Sequence, residues 1–279
     1  MRRIKARTIT ENVAKLCIDA NYYLSGDIKK QINESIKTET SAMGRDVLEK
    51  LLQNADIAEN EQMAICQDTG MAVVFIKIGQ NVMVEGSIEE AVNQGVRQGY
   101  QKGFLRKSIV SDPLRRVNTG DNTPAVIHYE INEGDTIEIT VAPKGFGSEN
   151  MSAVKMLKPS DGEKGVIDFV IETVKKAGSN PCPPVVLGIG IGGTMEKAAI
   201  LSKKALLLPV DHENKDEYYA QMEKNLQKKI NELGIGPMGW GGRTTTLGVN
   251  ILTYPTHIAG LPVAVNVGCH ATRHASVTI

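Results

Sequence analysis

Within six consecutive positions near the end of the chain, Cys269, His270, Arg273 and His274 place a thiol, two imidazoles and a guanidinium directly after an apolar run, Leu261 to Val267. That run reads as a buried strand, so the cluster sits where a strand leaves a core, a common place for ligands and catalytic groups. On its own the tail reads equally well as a buried Cys beside a solvated basic end. Two further cysteines share its setting. Cys66 lies in the polar loop Ile65-Cys66-Gln67-Asp68-Thr69-Gly70, ahead of an apolar β-branched run from Met71 to Ile78. Cys182 is bracketed by Pro181, Pro183 and Pro184 ahead of Val185 to Ile189. Those prolines remove backbone donors and clash with helical geometry, which keeps Cys182 out of any helix interior.

The fourth cysteine is different. Cys17 falls on a helical stripe with Val13, Leu16, Ala20 and Leu24, where a thiol acts as a small buried hydrophobe. Soft thiolates suit iron–sulfur centres, and a cube held by three of them leaves one iron open to act as a Lewis acid. On spacing alone, three unrelated buried thiols, or zinc with three Cys and one His, stand as alternatives. No Cys-x-x-Cys pair occurs, which disfavours zinc ribbons and thioredoxin-like redox motifs. Near the thiols, Asp68 follows Cys66 by two residues. Arg106, Arg273, His270 and His274 supply cations or donors for a dianionic substrate.

A rival chemistry comes from Gly188-Ile189-Gly190-Ile191-Gly192-Gly193. It satisfies G-x-G-x-x-G, follows an apolar strand, and reads as a turn opening a helix from Thr194 to Leu207, with Asp211 further on. That is close to a dinucleotide fingerprint. Against it, Pro209 interrupts the second strand and no strand–helix alternation surrounds the unit. A helix N-terminus open to an anion is the milder reading.

The elements that must position these groups follow from periodicity. Thr10 reads as an N-cap for the Cys17 helix, a second helix covers Asp27 to Glu39, and a third carries Val47, Leu48, Leu51, Leu52 and Ala55 on one face. Ser87-Ile88-Glu89-Glu90 is a capping-box pattern. Val126 to Ile131 and Thr136 to Val141 flank Asn132-Glu133-Gly134-Asp135 and read as a hairpin. Further helices are predicted near Gly162 to Ala177 and Asp216 to Leu233. A helical front, about 1–62, precedes a cluster-bearing body of mixed strands and helices, about 63–279. The fold class is α+β, in one large domain over 1–279.

Composition narrows the function. The 279 residues are 41% hydrophobic and 23% charged, a soluble globular profile. Thirty-two basic side chains balance thirty-two acidic ones, so no charge excess points to nucleic acid or an anionic membrane. No apolar run approaches the roughly 20 residues of a membrane span, and no signal core follows the basic start. The expected compartment is cytoplasmic.

Together the motifs resemble those of the α subunit of the two-subunit class I fumarases and of the similar L-tartrate dehydratase α subunit. The residues that carry the resemblance are Cys66-Gln67-Asp68-Thr69-Gly70, Asp121-Asn122-Thr123-Pro124-Ala125, Gly147-Ser148-Glu149-Asn150, Pro183-Pro184 through Gly193-Thr194, Gly236-Pro237-Met238-Gly239 and Cys269-His270-Ala271-Thr272-Arg273-His274. They run from about residue 10 onward. Phe146 stands in a loop that is usually all glycine, and Gly268 stands where a polar residue is common.

The resemblance implies a [4Fe-4S] cluster held by Cys66, Cys182 and Cys269. It also implies a hydro-lyase reaction on a small dicarboxylate, with fumarate to L-malate first and L-tartrate to oxaloacetate as the alternative. Gln67 and Asp68 would lie at the substrate, Asp68 assisting proton transfer. Arg106 would pair with a carboxylate, Gly147 would offer a backbone N–H, and His270 would stand close by. Since single-chain relatives continue past the third cysteine, a separate smaller β subunit is expected to complete the enzyme, in an α2β2 assembly. A non-catalytic iron–sulfur protein and a nucleotide-binding oxidoreductase remain the rival readings.

Overall fold

The computed structural model describes all residues, 1–279, as an α+β chain. In chain order the elements are β1 (Arg2–Lys5), α1 (Ala6–Tyr22), α2 (Gly26–Thr38), α3 (Ala42–Asn60), β2 (Met71–Gly79), β3 (Val82–Glu85), α4 (Ile88–Lys102), β4 (Val126–Asn132) and β5 (Ile137–Lys144). They continue with α5 (Phe146–Glu149), β6 (Ala153–Leu157), α6 (Gly162–Ala177), β7 (Val185–Gly192), α7 (Met195–Ala205), α8 (Glu217–Asn231), β8 (Thr246–Tyr254), β9 (Leu261–Gly268) and β10 (Ala275–Thr278). None of the helices is long and apolar enough to cross a membrane.

These elements form two compact units that are interleaved in sequence. The first comprises Met1–Leu24, Asn54–Phe146 and Arg273–Ile279; the second comprises Ser25–Gln53 and Gly147–Thr272.

In the first unit a four-stranded sheet runs β10-β5-β2-β4, and β1 pairs with β3 in a separate ribbon. The apolar run predicted at Met71 to Ile78 is the buried strand β2. It lies between β5, antiparallel to it, and β4, parallel to it. The expected hairpin is therefore corrected. The turn at 132–136 does reverse the chain, but β4 and β5 are separated by β2. A strand buried on both faces gains from a neighbour on each edge, whereas β4 has Ile131 and Tyr129 exposed and belongs at an edge. Helices α1 and α4 cover the sheet, sharing its core through Ile9, Val13, Cys17, Val92, Val96 and Tyr100.

Local signals in this unit had mixed fates. The Ser87 hydroxyl accepts from the Glu90 N–H (3.3 Å), as the capping pattern predicts. The Glu90 carboxylate does not return to Ser87; it pairs with Arg97 at 2.9 Å. Thr10 is not an N-cap. α1 starts at Ala6, and the Thr10 hydroxyl donates to the Ala91 carbonyl of α4 at 3.0 Å, tying the two helices together.

The second unit has a sheet in the order β6-β9-β7-β8, with helices on both faces. Its central strand, β7, is buried throughout and extends to Gly192. The glycine-rich stretch is thus strand, not a phosphate-binding turn. Val185, Leu187, Ile189 and Ile191 share one core with Val170 and Val174 of α6 and with Leu226 and Ile230 of α8. On the opposite face Gly188 and Gly190 let α7 approach. A Cβ on Gly190 would lie 2.0 Å from the Ala198 carbonyl, and one on Gly188 would lie 2.1 Å from that of Ser202. The glycines serve helix-to-strand packing, which removes the structural basis of the dinucleotide reading.

Candidate functional site

Asp68 sits in the loop that leads into β2 of the first unit. Both of its carboxylate oxygens accept backbone N–H groups: Oδ1 from Gly70 (3.1 Å) and Oδ2 from Phe146 (2.9 Å). The loop is stitched down from beneath. The Thr69 hydroxyl donates to the Arg106 carbonyl at 3.0 Å. Asn122, fully buried with a left-handed φ of 63°, donates to the Gly70 carbonyl (3.2 Å) and accepts from the Ser108 N–H (2.7 Å). The Tyr100 hydroxyl lies 2.7 Å from the Thr69 carbonyl and 2.9 Å from that of Gly70. Burial pushes its pKa up, so it stays a protonated donor.

Around this loop the charges are arranged in two ways. Burial alone would raise the Asp121 carboxyl, but hydrogen bonds from the Thr123 hydroxyl and N–H and from Arg97 hold it at about 2. Asp121 is therefore an anchor, ionised at every working pH. Arg273 is buried, and its Nη2 donates to the main-chain oxygen of Asp68, while its Nε has no partner in the protein. The side chains of Gln67 and Arg106 are exposed, and Cys66 is half-buried.

The second unit carries Cys182 and Cys269. β7 and β9 are antiparallel, with Val186 opposite Gly268. The residues just before β7 and just after β9 therefore share one end of the sheet. His270 links them, its Nδ1 lying 3.0 Å from the Cys182 carbonyl oxygen. A carbonyl only accepts, so Nδ1 carries the hydrogen, and in the neutral ring Nε2 is the basic nitrogen. Cys182 itself has φ of 55°, and its N–H donates to the Ser179 carbonyl at 3.1 Å. Next to it, the Pro183 carbonyl accepts from the Met238 N–H at 2.7 Å, which ties the Gly236–Gly239 motif to the cysteine loop.

Gly147 is exposed, in the short turn of helix α5. That turn is pinned by Glu149, whose carboxylate takes Lys203 Nζ at 2.7 Å and Asn266 Nδ2 at 3.1 Å. Lys203, Asn266, Tyr100 and the anchoring role of Asn122 escaped the sequence reading. The last had a signal, since an Asn before Thr-Pro in a polar loop is a common carrier of positive φ.

Within neither unit do three or more His, Cys, Asp or Glu side chains gather into a group able to hold a metal ion. The chemistry of the thiols nevertheless fits an iron–sulfur group. No disulfide engages them, Cys66 and Cys269 are half-buried, Cys182 is exposed, and all three lie outside helices and strands. Cys17 is unsuited: it is buried in α1, and burial pushes its thiol up to about 12, far from the thiolate that a metal requires.

Comparison with known proteins agrees with this distribution of motifs. A sequence model described as fumarate hydratase (Fumerase) matches residues 10–278. The chain is 44% identical over 275 residues to "Putative L(+)-tartrate dehydratase subunit alpha" of Methanocaldococcus jannaschii, covering 96% of each. It is 33% identical over 275 residues to L(+)-tartrate dehydratase subunit alpha of Escherichia coli K12, covering 97% of this chain and 90% of the relative. The same figures hold for the subunit of that name in Shigella sonnei. With almost every residue inside the matched region, the chain belongs to the fumarate hydratase family of hydro-lyases.

Proposed function

We propose that this chain is the α subunit of a hydro-lyase that removes water from a hydroxydicarboxylate, with L(+)-tartrate ahead of the malate–fumarate pair. The observation that carries the choice is the near full-length identity to α subunits named for L(+)-tartrate dehydratase. It reverses the order expected from the motifs, which put fumarate first. The α designation of these relatives supports a β partner, and an α2β2 assembly is the proposed stoichiometry.

Cys66, Cys182 and Cys269 are the proposed thiolates of a [4Fe-4S] cluster. When bound, such a cluster supplies a Lewis-acidic iron that has no protein ligand. Groups of this chain are proposed for part of the remaining work, the β partner supplying further substrate-positioning groups. Loss of water from tartrate removes a C–H proton beside one carboxylate and a hydroxyl from the neighbouring carbon. The enol so formed tautomerises to oxaloacetate. Asp68, its carboxylate oriented by two backbone donors, is the proposed proton carrier. Arg106 offers an exposed planar fork suited to a substrate carboxylate. The exposed Gln67 amide and the Gly147 N–H are donors for substrate oxygens. His270, held through Nδ1, keeps the Cys182 loop oriented and stands next to Cys269.

The test is anaerobic co-expression with the cognate β subunit, reconstitution with iron and sulfide, and measurement of kcat/KM for L(+)-tartrate, fumarate and L-malate. Higher kcat/KM for tartrate is the expected result. A preference for fumarate and malate would restore the other order. An iron-loaded complex inert toward all three would favour a non-catalytic iron–sulfur protein.

A further inference from the structure

We infer that Arg273 is a positioning residue, which acts on the reaction by fixing the backbone of the Asp68 loop and not by holding the substrate. The inference rests on the reading of Asp68 as the proton carrier. Asp68 is held at three points: its main-chain oxygen by the Arg273 guanidinium, Oδ1 by Gly70 and Oδ2 by Phe146. Two of these holds come from one strand frame. Arg273 precedes β10, which pairs with β5 through Ala275–Val141 and Ser276–Thr140, and the Thr140 and Ser276 hydroxyls lie 2.7 Å apart. β5 also pairs its last residue, Lys144, with Met71 at the start of β2, and Phe146 follows two residues later. The same strand therefore sets both the donor to the carboxylate and the segment that delivers the guanidinium.

Burying a guanidinium under a peptide carbonyl costs desolvation, and Arg273 is 6% exposed. A hydrophobic stem would fill the space without that cost. What the guanidinium adds is a fixed direction for the Asp68 carbonyl, and with it the plane of the peptide that carries the carboxylate. Lysine would keep the charge but lose the rigid fork.

Arg273→Met and Arg273→Lys, each in the co-expressed complex, separate the possibilities. The measurements are kcat and KM for the hydroxydicarboxylate, iron content, and amide hydrogen exchange at Gly70 and Phe146. Arg273→Met is expected to lower kcat by about 100-fold, the scale of a misplaced reacting group. KM should move by no more than about threefold, iron content should hold, and exchange at both amides should accelerate. Arg273→Lys should recover part of each loss, and it carries the same readouts if the Met variant does not fold. Raised KM at unchanged kcat would mean that Arg273 binds substrate, and would overturn the inference. Wild-type exchange at both amides would overturn it too. The exchange measurement needs no turnover, so a complex inert toward every acid would defeat the functional reading while this one stayed open to its own test.

Discussion

At the scale of single residues, two carboxylates clamped by backbone N–H groups do different work. The Asp68 carboxylate lies in a loop whose neighbours Gln67 and Arg106 are exposed. Its proposed proton-carrying role predicts that Asp68→Asn, nearly isosteric, lowers kcat by about 10²- to 10⁴-fold while iron content stays at the wild-type level. A kcat within tenfold of wild type would remove Asp68 from that role. Glu39, in the second unit, is 2% exposed. It accepts from the N–H groups of Thr40, Ser41, Arg243 and Thr244. Burial pushes its pKa up, but the hydrogen bonds from Ser41, Arg243 and Thr244 outweigh burial and the pKa is lowered. The sign follows: a carboxyl whose folded pKa lies below its unfolded value stabilises the fold above the unfolded pKa, about 4.3. That contribution is lost as pH falls through the folded value. Glu39→Gln should therefore cost about 3 kcal/mol near neutral pH, from donors left facing an amide. In urea melts at successive pH values the gap to wild type should close on the acid side. A gap independent of pH would assign the loss to packing alone. Glu39 was invisible in the sequence because its partner Arg243 is 204 positions away, and no local pattern records such a contact.

At the scale of elements, β7 shows what was legible and what was not. Val185, Leu187, Ile189 and Ile191 alternate with Val186, Gly188, Gly190 and Gly192, a period of two that marks a strand. The same glycines satisfy a dinucleotide fingerprint, which predicts a turn after Ile189 where the strand continues to Gly192. The long helical stripes were read well: Gly162–Ala177 was predicted as found, and α2 within a residue at either end. Pairing was not legible. A turn sequence reverses the chain, yet which strand then inserts between the two arms is decided by burial of β2 on both faces. The packing account of β7 makes its own prediction. Gly190→Ala puts a methyl 2.0 Å from a backbone oxygen of α7, and overpacking against backbone costs about 3 kcal/mol. That corresponds to a fall in Tm of about 6–12 °C. Gly26→Ala, where an added Cβ meets nothing within 4 Å, should leave Tm unchanged or raise it slightly. Calorimetry on the two variants checks the contrast, and equal Tm values would sink the close-approach argument.

At the scale of the molecule, the chain crosses between the two units four times, between Leu24 and Ser25, Gln53 and Asn54, Phe146 and Gly147, and Thr272 and Arg273. The last crossing falls inside the Cys269–His274 motif and the one before it at the start of the Gly147–Asn150 motif, and each unit owns part of the candidate machinery: Cys66, Asp68, Arg106 and Arg273 in the first, Cys182, Cys269, His270 and Gly147 in the second. This division distributes three cysteines that are far apart in sequence but alike in setting. It was not readable as a boundary, because no linker composition marks it. Iron binding tests whether the three thiols work as one set. After anaerobic reconstitution the wild-type chain should hold about four irons. Cys66→Ser, Cys182→Ser and Cys269→Ser should each lose most of that iron and the accompanying visible absorbance. Cys17→Ser should keep both, since its thiol is buried and held protonated. Loss confined to the Cys182 and Cys269 variants would remove Cys66 from the set and leave the second unit with a different metal site. Turnover adds the partner. The reconstituted chain alone should retain its iron yet show less than about one-hundredth of the activity of the αβ complex, the scale expected when substrate-positioning groups are absent. Full turnover without the β subunit would show that this chain carries a complete active site by itself.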